Sequence, residues 1–422
     1  MFRTVVLIAV LSISAAGQDE AQLRWLVQGT PDPAAIASHD DSGLYLFATG
    51  PGIAVWRSTD GATWKRVGRV FTDDVPTEAK KLIPGADSVW APDIQYANGK
   101  YWLYYSVSTF GSQRSVIGLA TNKTLKPQSP DYEWKSHGIV LESFPERNDF
   151  NAIDSAVYFE GDRAWLVWGS YWTGIKGTEI DPQSGRPAST QPKYVALAAR
   201  ADNGNVDIEA PYLIKRDGWY YLFVSWDFCC DREDSTYKIM VGRSKSPLGP
   251  FFDRQGRNML NGGGTLVLMS DGRWRGPGHN SILQYRNRDY LVYHVVDSQD
   301  PAAGRQLQMR TLDWKNGWPA AGEIVSGGLQ SDSGPPLSGR WLHVVDERDT
   351  YDIFFEPTGR ITGVKGKAEW KRDGGDLLLQ WLAPNAPGGR WIDRVRLSDD
   401  LKQYSGHNQN GTLIQGRRAL ER

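Results

Sequence analysis

Helical periodicity is nearly absent along most of this chain. Short apolar stretches of four or five residues recur instead, separated by polar turns. The most regular of them are aromatic: Leu44-Tyr45-Leu46-Phe47, Tyr101-Trp102-Leu103-Tyr104-Tyr105, Trp165-Leu166-Val167-Trp168, Trp219-Tyr220-Tyr221-Leu222-Phe223 and Tyr290-Leu291-Val292-Tyr293. Each is preceded by turn chemistry: Asp41-Ser42-Gly43, Asn98-Gly99, Gly161-Asp162, Asp217-Gly218 and Asn287-Arg288. The copies lie about 60 residues apart, a supersecondary repeat that cannot bury its apolar face alone. Five small antiparallel sheets packed around an axis satisfy it, so the pattern predicts an all-β five-bladed propeller over residues 24–328. A sandwich would explain the strands but not their spacing.

Two segments fall outside the repeat. Residues 1–17 carry one positive charge at Arg3, an apolar run over 4–13 and small residues at Ala15-Ala16-Gly17. That is the layout of a secretory signal peptide and is too short to span a bilayer. Ser331-Asp332-Ser333-Gly334-Pro335-Pro336 reads as a linker. The alternating runs beyond it predict a small antiparallel β-barrel or sandwich over 338–422, with a helper role.

The 422 residues hold 48 Lys and Arg against 49 Asp and Glu, a net charge of −1. This balance offers no footprint for nucleic acid or an anionic membrane. Forty per cent apolar content excludes a disordered chain. Eighteen Trp and 18 Tyr suit an uncharged ring substrate such as a sugar, although buried rings are also ordinary core. Cys229 and Cys230 are the only cysteines. Two adjacent thiols make no zinc shell, and they read equally as a vicinal disulfide or as two inert thiols.

The repeat also lines up chemistry. Just upstream of the aromatic strands stand Pro31-Asp32-Pro33, Pro92-Asp93-Ile94, Ile153-Asp154-Ser155, Ile208-Glu209-Ala210 and Gly278-His279-Asn280. In a propeller the first strand of each blade lines the channel, so these five groups are expected to converge in register. Crowded carboxylates push their pKa values apart, which suits acid and base catalysis at one pH.

Several of these stretches resemble glycoside hydrolase family 43, and within it the secreted endo-1,5-α-L-arabinanases. They are Trp90-Ala91-Pro92-Asp93-Ile94, the run from Tyr104 to Ser112, Asn151-Ala152-Ile153-Asp154, Ile208-Glu209-Ala210-Pro211-Tyr212, Asp227-Phe228-Cys229-Cys230 with Ser235-Thr236-Tyr237, and Gly276-Pro277-Gly278-His279-Asn280-Ser281. The resemblance covers about residues 25–320 and implies an inverting hydrolase of arabinan. It assigns Asp32 as general base, Glu209 as general acid and Asp154 as the ionised group that raises the acid's pKa and orients it. It makes His279 a ligand, through water, of a calcium ion in the channel. Trp90 and Phe110 become the sugar floor, with Asp93, Gly111, Asn151 and Ser170 contacting substrate. The family's usual His before the first Asp is Pro31 here, which bears on subsite preference and pH optimum. The resemblance implies a secreted monomer, without nucleic-acid or membrane partners. An exo-acting arabinofuranosidase or β-xylosidase is the neighbouring reading. A non-catalytic sugar-binding propeller is disfavoured, since all three carboxylates are present.

Overall fold

A computed structural model of the chain describes residues 27–40, 43–200, 206–286, 288–325, 329, 337, 339–356, 359–373, 376–384, 386–398 and 402–419. The segment 1–17 expected to be a signal peptide, the expected linker 331–336 and parts of two turns, at 41–42 and 287, lie outside them. Among the described residues no helix is long and apolar enough to cross a membrane. The chain divides into two compact units, one spanning nearly all residues to Leu329 and one spanning Gln330–Arg422 together with Arg286–Arg288.

The first unit contains five four-stranded sheets, each an antiparallel meander in chain order. Blade 1 is β1 (Ala34–Ala37), β2 (Leu44–Ala48), β3 (Ala54–Ser58) and β4 (Lys65–Arg69). Blade 2 is β5 (Trp90–Ala97), β6 (Lys100–Val107), β7 (Ser115–Asn122) and β8 (Lys135–Ser143). Blade 3 is β9 (Ala156–Glu160), β10 (Arg163–Trp168), β11 (Ile175–Ile180) and β12 (Val195–Ala198). Blade 4 is β13 (Ile208–Arg216), β14 (Trp219–Trp226), β15 (Lys238–Ser244) and β16 (Thr265–Leu268). Blade 5 is β17 (Trp274–Tyr285), β18 (Arg288–Asp297), β19 (Arg305–Lys315) and β20 (Trp318–Ile324). The first strands β1, β5, β9, β13 and β17 neighbour one another in a closed ring.

The aromatic repeat is the second strand of every blade, and its rings are mostly core. Phe47, Trp102, Tyr104, Tyr105, Trp168, Tyr221 and Tyr293 are fully buried. At roughly 1.5–3 kcal/mol for each large apolar side chain buried, these strands dominate blade-to-blade cohesion. Close approach demands glycine in places: a Cβ at Gly118 would stand 2.2 Å from the Tyr105 ring.

The blades are joined by a recurring hydrogen bond. One residue before or within each inner strand adopts a left-handed conformation: Asp32, Ala91, Asp154, Ala210 and His279, with φ of 54, 44, 57, 53 and 50°. At four joints its amide donates to a side chain on the second strand of the preceding blade, or just beyond it. Ala91 N–H reaches Thr49 Oγ1 at 2.8 Å, Asp154 reaches Ser106 Oγ at 2.9 Å, and His279 reaches Ser225 Oγ at 2.9 Å. Asp32 reaches His294 Nδ1 at 3.1 Å and so closes blade 1 on blade 5. At the joint between blades 3 and 4 the matching position is Gly169, and the Ala210 amide turns instead to the Asp154 carboxylate. The chain segment before blade 1 completes the closure: Leu307 N–H donates to Val27 O at 3.0 Å and Thr30 N–H to Arg305 O at 3.3 Å.

This pattern corrects the expected register. Asp32, Asp154 and His279 are equivalent, but Glu209 stands one residue before the left-handed position and Asp93 two after it. Register shifts in β5, between Trp90 and Asp93, and in β13, between Glu209 and Tyr212, account for the offsets.

The second unit contains a closed eight-stranded antiparallel barrel, so of the two sequence alternatives the barrel is present. Its strands are β21 (Gly339–Val345), β22 (Asp349–Phe355), β23 (Arg360–Thr362), β24 (Ala368–Asp373), β25 (Asp376–Leu382), β26 (Arg390–Leu397), β27 (Gln403–Asn408) and β28 (Leu413–Arg418). β28 pairs back onto β21, and Trp341, Phe355, Leu377, Leu379, Val395 and Ile414 fill the interior.

Candidate active site

The inner strands bring Asp32, Asp154, Glu209 and His279 to one end of the propeller axis. Asp32 is the best anchored. Its Oδ2 accepts a hydrogen bond from Thr49 Oγ1 at 2.5 Å. Its Oδ1 faces His279 Nδ1 and His294 Nδ1, each at 3.3 Å, and Arg305 Nη1 at 3.7 Å. Burial pushes this carboxyl up, but His279, His294 and Arg305 pull harder and hold it well below the usual carboxylate range. Asp32 is thus an ionised acceptor, the state a general base needs.

Glu209 accepts one hydrogen bond on each oxygen, from Ser170 Oγ to Oε2 and from Tyr237 Oη to Oε1, both at 2.7 Å. Asp154, by contrast, is held well above its ordinary range: burial comes first, then the like charges of Glu209 and Asp32, against a single backbone donor from Ala210. This direction runs against the expectation of an ionised Asp154, because Asp154 is buried and receives few donors.

Tyr237 explains why two separate sequence motifs occur together. A Cβ at Gly278 would fall 1.9 Å from the Tyr237 ring, and one at Gly276 would fall 2.0 Å from Ser235 Oγ. The glycines preceding His279 are the clearance that lets the Ser235–Tyr237 segment reach Glu209. The Tyr237 ring also stacks on His294, with centroids 5.8 Å apart and planes 15° apart. The base and the acid thus share a common aromatic support.

The remaining candidates divide. Ser170 donates to Glu209, a role its expected sugar contact did not include. Asp93 is buried, and its Oδ2 accepts the Val157 amide of blade 3 at 2.8 Å. Burial raises its pKa to about 7 against donors from Val157 and Ile94 and the Gln95 side chain. It is a joint between blades rather than an exposed sugar contact. Asn151 is also buried, its Oδ1 accepting from Ser115 Oγ at 2.6 Å. Trp90 is half-buried with Nε1 on Ser88 Oγ at 3.1 Å. Phe110 is 89 % exposed, and Gly111 beside it has open space around its Cα.

Three residues of the site receive no role in the sequence reading: Tyr237, present there only within a matching stretch, His294 and Arg305. His294 sits at the end of an aromatic strand, at the position of Thr49, Ser106 and Ser225, and that alignment is the one signal for it. Arg305 had none.

For a calcium ion the donors are specific. Among the described residues no group of three His, Cys, Asp or Glu side chains converges on one point. However, the channel has a cavity of about 20 Å³ lined by Asp93, Asp154, Ser155, His279, Asn280 and Ser281 among others. Buried Ser155 Oγ and both side-chain polar atoms of Asn280 find no protein partner there. Burial lowers the pKa of His279 against the pull of Asp32, and with Nδ1 turned to Asp32 it is Nε2 that a neutral ring would offer as a ligand. One imidazole and neutral oxygens fit a hydrated cation whose remaining ligands are waters.

Comparison with known proteins decides the family. Residues 26–319 match the family described as glycosyl hydrolases family 43. The chain belongs to that family. This family-43 chain is 42% identical over 298 residues to the extracellular exo-α-(1→5)-L-arabinofuranosidase ArbA of Cellvibrio japonicus, covering 68% of this chain and 85% of that protein. It is 40% identical over 294 residues to the extracellular endo-α-(1→5)-L-arabinanase 1 of Bacillus subtilis, covering 68% and 86%. The solved Cellvibrio cellulosa α-L-arabinanase superposes with a TM-score of 0.66 at 39% identity, over 72% of this chain and all of that one. An endo-1,5-α-L-arabinanase from Thermotoga petrophila, at 22% identity and a TM-score of 0.60, covers 93% of this chain and shares its fold. This family-43 member is a glycoside hydrolase on a five-bladed propeller.

Proposed function

We propose that the protein is a secreted endo-1,5-α-L-arabinanase that inverts the anomeric carbon. The observation that carries the mechanism is the opposite treatment of the carboxyls: Asp32 is held ionised by His279 and Arg305, while Asp154 and Glu209 crowd each other. A water lodged against Asp32 gives up a proton to it and forms the new C–O bond from the face opposite the leaving chain. Glu209, oriented by Ser170 and Tyr237, passes the proton held by the Asp154–Glu209 pair to the glycosidic oxygen as the old C–O bond breaks. When bound, a calcium ion beside His279 supplies positive charge at the floor of the channel. His279 keeps Nδ1 on Asp32 and thereby holds the base in position. Extracellular relatives and the amino-terminal signal-like segment support secretion.

An exo-acting reading is also supported, by identity to the Cellvibrio japonicus exo-enzyme. Product analysis on linear arabinan separates them: mixed oligosaccharides early in the reaction mark endo attack, and a single short product from the outset marks exo. Glu209→Ala should lower turnover by several orders of magnitude with folding intact. Turnover near wild type in that variant would sink the mechanism.

A further inference from the structure

The loop after β14 does more than carry Tyr237 to the acid. Cys229 and Cys230 form a disulfide between neighbouring residues. Arg305 Nη1 stands 3.8 Å from Cys230 Sγ and 3.7 Å from Asp32 Oδ1. The sulfur therefore lies no farther from the base carboxylate than those two contacts laid end to end. Phe228, immediately before the disulfide, is 58 % exposed, unusual for so large an apolar ring.

This exposed apolar surface is held in place. Phe228 O accepts from Ser235 Oγ at 2.8 Å and from the Thr236 amide at 3.1 Å, and Phe228 N–H donates to Thr236 Oγ1 at 3.2 Å. The preceding residue, Asp227, is clamped by Arg200 and by Lys238, the latter at 2.6 Å. A disordered tip would expose Phe228 by accident; a loop pinned at both ends presents it.

We propose that Phe228 and the Cys229–Cys230 disulfide form an apolar ledge at the mouth of the site, beside Arg305, that seats a furanose ring of the substrate chain. The chemistry suits that occupant. A furanose offers C–H faces that pack on an aromatic ring and on polarisable sulfur. Arg305 donates to sugar hydroxyls from the same place and keeps its charge beside the base. The ledge rests on the arabinanase reading above and adds to it a seat outside the reacting bond.

The test uses binding and turnover together. In the Glu209→Ala background, Phe228→Ala, and separately Cys229→Ser with Cys230→Ser, should weaken calorimetric binding of arabinohexaose roughly five- to tenfold. In otherwise wild-type protein the same changes should raise KM for arabinohexaose by a similar factor. They should leave kcat and the pH profile near wild type, with a smaller effect on arabinotriose. If the cysteine variant does not fold, Phe228→Ala, a surface change, carries the test alone. Unchanged affinity and KM, or a fall in kcat at constant KM, would overturn the ledge while leaving the arabinanase reading intact. Failure of the wild-type enzyme to cleave arabino-oligosaccharides would overturn both.

Discussion

Replacing Tyr237 by Phe removes one oxygen and nothing else. The ring keeps its place against Gly278 and His294, so the blade joint survives. What disappears is the 2.7 Å hydrogen bond from Tyr237 Oη to Glu209 Oε1, together with the hydrogen bond between Tyr237 and Ser225. A hydrogen bond to a charged group is worth roughly 1.5–3 kcal/mol, and one pKa unit is about 1.4 kcal/mol. A donor favours the ionised carboxylate, so its loss favours the protonated one. The Asp154–Glu209 pair then keeps its proton to higher pH. The alkaline limb of the kcat/KM profile should move up by about one to two units. Plateau kcat should fall by about tenfold or less, because Ser170 still orients the other oxygen. The assay is hydrolysis of a linear arabino-oligosaccharide across the pH range, with melting temperature as a control for folding. An alkaline limb that stays put or moves to lower pH would refute the assignment of Tyr237 as the positioning donor of the acid.

Gly278→Ala should impair folding and activity together, since its Cβ would meet the buried Tyr237 ring at 1.9 Å; a wild-type melting temperature with full activity would contradict that packing. Asp93, raised from 3.8 to about 7, binds a proton more tightly folded than unfolded, so its cost is absent below about pH 4, grows as pH rises and levels off above about 7. Without calcium, Asp93→Asn should flatten the fall in stability across that window, by up to roughly 4 kcal/mol, as read by denaturant titration at several pH values; parallel curves for the two proteins would exclude the burial penalty. Chelation should lower the wild-type melting temperature, and His279→Ala should abolish that response; a wild-type melting temperature indifferent to calcium would remove the ion from the channel.

The propeller was legible because its signal is local. Five aromatic strands with turn residues at regular spacing state the second strand of each blade directly, and the burial of Trp102, Trp168 and Tyr221 follows. The carboxylates Asp32, Asp154 and Glu209 were legible as candidates for the same reason, lying in or just before the strand that precedes each aromatic one. Their exact register was not. The left-handed residue at Ala91 and Ala210 has no side-chain signature, so Asp93 and Glu209 were aligned one or two positions away from their structural places. The partners His294 and Arg305 were illegible because each reaches Asp32 across a blade boundary, and Tyr237 because it reaches Glu209 from the far end of a loop in the same blade; no spacing in the chain reports such contacts. The upward shift of Asp154 depends on depth and donor count, which only coordinates supply.

The bond from the Asp32 amide to His294 gives the enzyme a built-in order of assembly. The residue proposed to activate water is also the latch between the first and last blades, so the nucleophile-activating half of the site cannot exist until the ring has shut. A partly folded chain with four docked blades would display sugar-facing surface yet be inert. Recovery of activity during refolding therefore requires the docking of blade 1 on blade 5 as well as the collapse of the blades, and should not precede the recovery of tryptophan fluorescence.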